Sequence, residues 1–491
     1  MNKKRILIIF FLILCSGALL RIYRLGSWDL WFDEVISVYA VKSHVTQDIQ
    51  PPLYYSFLSL WLRFFTENEF SLRALSALFG ILSIGVVYKI GKTLFDARTG
   101  LLSALIISVS PMHIWYAQEA RGYTLSVFLT AMTIYYFILA LRENKNILWL
   151  KYSIFAVLSM CASYYSLLVV LAEGVVFSRS QHRPQAKKWL LARILSFSAF
   201  FIWLPIFYKQ ITKINEIFWL NKPVLQSIRI TFENFNVGYS ASKLLYLFSS
   251  ATYLILAING IRFLLKDKKM LTFLLAFIII PITLAYFVSK KIPIYLDRQL
   301  LIFSPLYYLL IAVGIEAIKK RSIKIFFVTL VILLSIVSLY RYYNNQIAPL
   351  SHHEGVHLKK SFKPAAQFLY ENIRNGDIIA DTNPSTKVLE YYYTNNSITR
   401  YYFFIPGSLD NYFLKSIQRD KKGSWMAIDL SKGILQYNLK RIWLVTSSWE
   451  RNGKIDQNSE AVKKYLEKYY ALVQRKDFEG IYLELYQLNV N

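Results

Sequence analysis

The chain is 491 residues long, 55% hydrophobic and 18% charged, with a formal net charge of +27 and a mean hydropathy of +0.34. Soluble domains carry about 25% charge, so this composition excludes an ordinary string of soluble domains, and so much apolar surface excludes a disordered chain. Two cysteines, Cys15 and Cys161, exclude a disulfide scaffold or a cysteine-based zinc module.

Taken in chain order, apolar stretches near the spanning length of about 17–25 residues recur as far as residue 341. About eleven are expected, at 6–20, 72–91, 100–117, 123–141, 147–162, 164–178, 189–208, 243–261, 271–289, 299–317 and 325–341; alternatively, 147–178 forms one long tilted helix. Residues 1–341 hold 37 of the Lys and Arg residues against 15 acidic ones, and residues 342–491 hold 20 against 15. The basic excess sits in short runs between apolar stretches, such as Lys3-Lys4-Arg5, Arg179–Lys188, Arg262–Lys269 and Lys319–Lys324. A nucleic-acid partner is not expected, because its basic surface would lie on a soluble face. By the positive-inside rule these runs are cytoplasmic, which places the N-terminus inside and, after an odd number of spans, the tail outside. Residues 1–20 read as a signal anchor, since no small-residue cleavage site precedes a polar mature start.

Two loops on the outer side are long, 21–71 and 209–242. The first carries Trp28, Trp31, Phe32 and Trp61 and suits amphipathic helices in the interface. The tail, 342–491, alternates helices and strands: helix 364–374, strand 377–381, helix 384–393, strand 397–404, strand 441–447, helix 459–472 and strand 480–489. That pattern predicts a small α/β domain.

Three polar clusters fall on the outer side. The first is Trp31-Phe32-Asp33-Glu34, followed by Asp48-Ile49-Gln50-Pro51-Pro52-Leu53-Tyr54-Tyr55. Asp33 there is either a helix cap or a functional carboxylate. The second runs from Pro111 to Tyr123 and includes His113, Tyr116, Gln118, Glu119 and Arg121; the third is Pro293–Arg298. In combination and in this order, these motifs resemble the GT-C superfamily of integral-membrane glycosyltransferases, in the branch similar to bacterial protein O-mannosyltransferases and aminoarabinose transferases. The likeness covers nearly the whole chain, including Phe478-Glu479-Gly480-Ile481-Tyr482-Leu483.

The resemblance implies a polytopic α-helical membrane protein with a GT-C-like catalytic domain over 1–341 and a soluble extracytoplasmic α/β domain over 342–491. It implies transfer of a sugar from a polyprenyl-phosphate donor to an acceptor hydroxyl on a glycolipid, polysaccharide or protein, at the outer face of the plasma membrane. Asp33 takes the position of the catalytic aspartate, with Glu34 beside it. Arg121 and Arg298 are expected at the donor phosphate, and Asp48, Gln50, Tyr54, Tyr116, Gln118 and Glu119 in the substrate pocket. Many relatives have His or Lys where this chain has Gln50, which puts a charge contact to phosphate at that position in doubt. A phosphate leaves without a general acid, so one carboxylate suffices as base. No cofactor is required, and a divalent cation at Asp48 and Glu119 is an option known from the resemblance alone.

Two rival readings are open. His353-Glu354-Gly355-Val356-His357 matches the H-E-x-x-H zinc pattern, but Gly355 within it and Pro349 before it oppose a helix. A flippase for lipid-linked saccharides would place ionisable groups inside the membrane; Glu173 and Arg193 are the candidates.

Overall fold

The computed structural model describes residues 2–43, 50–178, 185–217, 222–347, 359–383, 386–393, 399–407, 426–434, 437, 439–448 and 455–489. Contacts divide the chain into two units. One is Met1–Leu25, Ala40–Asn215 and Leu220–Gly355; the other is Gly26–Tyr39, Glu216–Trp219 and Val356–Asn491.

The helices of the first 143 residues are α1 (Lys3–Ile22), α2 (Phe32–Ser43), α3 (Leu53–Trp61), α4 (Glu69–Leu94), α5 (Ala97–Val109), α6 (Pro111–Ala117) and α7 (Tyr123–Glu143). There follow α8 (Asn146–Ala162), α9 (Leu168–Ser178), α10 (Ala186–Phe201), α11 (Leu204–Ile217) and α12 (Leu225–Val237). The membrane part closes with α13 (Lys243–Leu264), α14 (Lys268–Val288), α15 (Asp297–Leu300), α16 (Ser304–Glu316) and α17 (Arg321–Tyr343). Local chemistry marks the starts. Asn68, Asp96, Ser242 and Asp267 accept hydrogen bonds from backbone N–H groups in the first turns of α4, α5, α13 and α14, the usual work of an N-cap.

Among the described residues, seven helices are long and apolar enough to cross a membrane, two bent pairs (α5 with α6, α10 with α11) pass the same test together, and two apolar helices are shorter. The eleven stretches read from the sequence fall on these elements. The protein is a polytopic α-helical membrane protein. The region 147–178 is not one tilted helix: α8 stops at Ser163, whose hydroxyl accepts from the Tyr165 N–H, and a 3-10 turn over Tyr164–Leu167 leads into α9.

The second unit holds a six-stranded sheet in the order β3-β2-β1-β4-β6-β5. Its strands are β1 (Asp377–Asp381), β2 (Thr399–Phe404), β3 (Met426–Asp429), β4 (Arg441–Ser447), β5 (Tyr470–Phe478) and β6 (Ile481–Leu488). The first four pair in parallel and the last two add antiparallel. Helices α18 (Phe362–Asn372), α19 (Lys387–Tyr392) and α20 (Gln457–Leu466) accompany it. Ile378, Phe403, Ile428, Ile442 and Leu444 from the strands share a core with Val462 and Leu466 of α20. A polar pair anchors the sheet: Arg441 Nε and Trp443 Nε1 donate to the Asp377 carboxylate at 2.6 and 3.0 Å.

One expected element is different. The helix expected over 459–472 ends at Leu466, and Tyr470–Phe478 form the edge strand β5. Leu472 and Val473 are exposed, so helical packing gains nothing from them, while backbone pairing along β6 satisfies the N–H and C=O groups of the whole segment. Charged Arg475, Lys476 and Asp477 on that edge disfavour pairing with another chain. Of the expected helix 384–393 and strand 397–404, residues 384–385 and 397–398 lie outside the described residues.

Candidate active site

The second polar cluster begins at a break. Helix α5 ends at Val109, Ser110 caps the next helix, and Pro111 opens α6 after a bend of 59°. Proline has no N–H, so the carbonyl of Ile107 loses the donor four residues on. Arg21, fully buried at the end of α1, replaces it: Nη2 donates to Ile107 O at 3.0 Å, and Nη1 donates to Ser108 O and Gly17 O at 2.9 Å each. Gln118 ties the far end of the cluster to the same place. Its Nε2 donates to Arg21 O at 3.0 Å and Tyr23 O at 2.8 Å, while Oε1 accepts from Tyr342 OH at 2.8 Å.

Glu119 and Arg121 are both buried, so neither belongs to an exposed rim. Glu119 Oε1 accepts from Trp115 Nε1 at 2.7 Å. Arg121 Nη1 donates to Tyr55 OH at 3.1 Å. Ser76 Oγ donates to Arg121 O at 3.0 Å and lies 2.9 Å from Tyr54 OH. A Cβ on Gly122 would stand 3.0 Å from Tyr54 Cβ, so the bare backbone there lets α3 seat its tyrosines against this segment. Pro51-Pro52 precede the helix directly: Pro52 is the residue before α3. Gln50 is half-buried.

The third cluster is joined to the second by a chain of polar groups. Tyr116 OH donates to Tyr239 OH at 2.9 Å, and Tyr239 OH donates to Asp297 Oδ1 at 3.0 Å. Asn234 Nδ2 donates to Asp297 Oδ2 at 2.6 Å, and the Arg298 N–H donates to Oδ1 at 2.7 Å. The Arg298 side chain is buried within electrostatic range of Tyr116, Tyr165 and Tyr239. The fold thus gathers Tyr54, Tyr55, Tyr116, Glu119, Arg121, Asp297 and Arg298 in one unit, on α3, the α6–α7 segment and α15.

Asp33 and Glu34 belong to the other unit. Both lie in the first turn of α2, where carboxylates meet the positive end of the helix dipole. Glu34 folds back on the segment before the helix: its Oε2 accepts from the Trp31 N–H at 3.1 Å. The segment leading to them is clamped to the α/β domain. Leu30 N–H donates to Tyr392 OH at 2.7 Å, Lys363 N–H donates to Asp29 Oδ2 at 2.8 Å, and Tyr39 meets Tyr391 edge-on at 6.4 Å. Asp48 and the H-E-x-x-H segment 353–357 lie outside the described residues. Among the described residues, no group of three or more His, Cys, Asp or Glu side chains is placed to hold a metal ion.

Sequence reasoning missed Arg21, Asn234, Tyr239 and the clamp at Tyr392. Their only local signal is a polar side chain inside an apolar or aromatic run. Glu173 and Arg193, the candidates for a transport path, face each other. Arg193 Nε donates to Glu173 Oε2 at 2.9 Å, and Tyr152 OH and Trp189 Nε1 donate to the same oxygen at 2.5 and 2.9 Å. Together they form a buried knot joining α8, α9 and α10.

The spans, the broken α5–α6 helix and the appended α/β domain make up a fold shared with solved structures. Residues 49–208 match the family model described as dolichyl-phosphate-mannose-protein mannosyltransferase. A search of curated proteins gives no match. Among solved structures, the chain is similar to ArnT from Cupriavidus metallidurans in the apo state, at 12% identity and a TM-score of 0.58, over 97% of each chain. The same protein bound to undecaprenyl phosphate gives 12% identity and a TM-score of 0.56, also over 97% of each chain. The Archaeoglobus fulgidus oligosaccharyltransferase in the apo form matches at 13% identity and a TM-score of 0.51, covering 91% of this chain and 70% of that one.

Proposed function

We propose that the protein is a membrane glycosyltransferase that moves a sugar from a polyprenyl-phosphate donor to an acceptor hydroxyl on a glycolipid, polysaccharide or protein. The observation that carries this reading is the end-to-end fold likeness to ArnT, a protein solved with undecaprenyl phosphate bound. The family match over 49–208 supports it, as do the two arginines buried among tyrosines in unit one.

In the proposed reaction Asp33 takes the proton from the acceptor hydroxyl, and Glu34 holds the turn that presents it. The freed oxygen attacks the anomeric carbon opposite the phosphate. The carbon–oxygen bond to phosphate breaks, polyprenyl phosphate leaves with the electron pair, and the configuration inverts. Negative charge grows on the phosphate oxygens, where Arg298 and Arg121 supply charge-assisted hydrogen bonds. The role of Asp33 rests on its sequence motif and on this chemistry. Tyr54, Tyr116, Gln50 and Asp48 are assigned to the substrate pocket, with Gln118 and Glu119 supporting its wall. The scheme needs no cofactor; a divalent cation, where one takes part, falls to Asp48 and Glu119. The basic runs favour an N-terminus in the cytoplasm, with transfer and the α/β domain on the outer side of the plasma membrane.

A flippase is the lesser reading, because the charges of Glu173 and Arg193 are engaged with each other rather than offered to a passing substrate. Sugar transfer by the parent protein separates the two readings, and Asp33→Asn tests the assigned base. Membrane insertion is expected to be unchanged and sugar transfer from a polyprenyl-phosphate donor abolished; full transfer by this variant removes the assignment.

A further inference from the structure

Helix α13, the loop 317–319 after α16 and the start of α17 line a groove that the proposed reaction does not use. It measures about 520 Å³ and is lined by Ile255, Asn259, Arg262, Lys319, Ile323 and Phe327, among others. We propose that this groove binds an anionic glycerophospholipid, with Arg262 and Lys319 holding the headgroup phosphate and the apolar walls taking the start of its acyl chains.

Its walls are fixed. A Cβ on Gly314 would stand 1.9 Å from Leu256 O, so α13 and α16 touch backbone to backbone, and Asn259 Nδ2 donates to Gly314 O at 2.6 Å. Its mouth is cationic. Arg262 and Lys319 are exposed, and among the described residues neither forms an ion pair. The neighbouring acid, Glu316, is engaged by Lys324 at 3.1 Å and by Arg98 at 4.0 Å. Asp267, the next nearest in sequence, caps α14 through the Met270 N–H. Lys266, Lys268, Lys320 and Arg321 add to the positive field. Two cations over an apolar cleft at a membrane boundary complement a phosphodiester with acyl chains; the arginine fork adds bidentate contact.

The groove is remote from the polar chain through Tyr116, Tyr239 and Asp297. Helix α13 starts four residues after Tyr239, and the groove uses its last turns; on the other side, Asp297 opens the span whose far end is followed by Lys319. Some 20 helical residues at about 1.5 Å each make about 30 Å, the thickness of the hydrocarbon core. The two sites therefore lie at opposite ends of the same helices, and lipid binding in the groove is independent of the reaction proposed above.

The test is native mass spectrometry of the full chain, released from nanodiscs of dioleoyl phosphatidylcholine and dioleoyl phosphatidylglycerol in equal amounts. The parent protein is expected to retain phosphatidylglycerol preferentially. Arg262→Gln/Lys319→Gln is expected to lower that preference roughly tenfold or more, the worth of two cations near an anionic surface. Ile323→Trp, which fills the cleft and keeps both charges, is expected to do the same, and helix content by circular dichroism identifies any variant that fails to fold. The proposal is overturned if both variants fold and keep the parent preference. It is also overturned if undecaprenyl phosphate, added in equal amount, takes the site from phosphatidylglycerol.

Discussion

Arg21→Lys keeps a buried positive charge and changes only the fork that delivers it, so the cost of burying a cation cancels between parent and variant. The guanidinium reaches the carbonyls of Ile107 and Ser108 with two different nitrogens; a single ammonium on a shorter reach serves one of them. Ile107 O has no helical donor to fall back on, because the residue four positions on is Pro111. Leaving one buried carbonyl unsatisfied costs about 1–3 kcal/mol, and that is the expected loss of stability. The same break sets the position of residues 111–123, which carry Tyr116, Glu119 and Arg121. A shift of the order of 1 Å at such residues lowers turnover by up to about a hundredfold. Thermal unfolding of the purified chain in detergent and a transfer assay with a polyprenyl-phosphate sugar read the two effects. If the variant matches the parent in both midpoint and rate, the bend is held by other contacts and this account of it is wrong.

Arg298→Ala is expected to weaken donor use by at least about tenfold in kcat/KM, the worth of one charge-assisted contact; unchanged kinetics would transfer the phosphate role to Arg121. Tyr392→Phe leaves the Leu30 N–H without its 2.7 Å acceptor, and the segment before Asp33 loosens. Turnover should then fall while the KM for the donor holds, as measured by steady-state transfer; an equal rise in KM speaks against a positioning role. Lys360 is buried, and desolvation lowers its amine from 10.5 to about 8, with Asp456 opposing the shift. The unfolded chain therefore binds more protons between pH 8 and 10.5, and the α/β unit gains stability as pH rises through that window. Lys360→Met should remove this pH dependence and stabilise the unit by about 3 kcal/mol at neutral pH, read by hydrogen exchange in Asp377–Asp381 and Arg441–Ser447. A pH profile identical to the parent's would mean the amine stays solvated.

Much of the fold was legible because its signals are local. An apolar run such as 271–289 has no other stable destination than a helix in a membrane, and Asp96 or Ser242 marks a helix start by the reach of its own side chain. The site was legible as three clusters but not as an assembly. Nothing near Asp297 in sequence indicates Asn234 or Tyr239, and nothing near Asp33 indicates Tyr392, because those partners are 58 or more residues away. The misread helix at 459–472 has the same cause: whether Tyr470–Phe478 pairs as a strand is decided by β6, which comes later in the chain.

By itself, the sequence determined that the chain enters a membrane, where its helices start, and which side chains are too polar to be there without a purpose, since each follows from the solvation of a few consecutive residues. Only the tertiary structure decided that Arg21 mends the break before Pro111, that Glu173 and Arg193 neutralise each other, and that residues 26–39 group with the α/β domain. Those outcomes depend on which distant groups meet in a medium without water, where every polar atom must find its partner inside the protein.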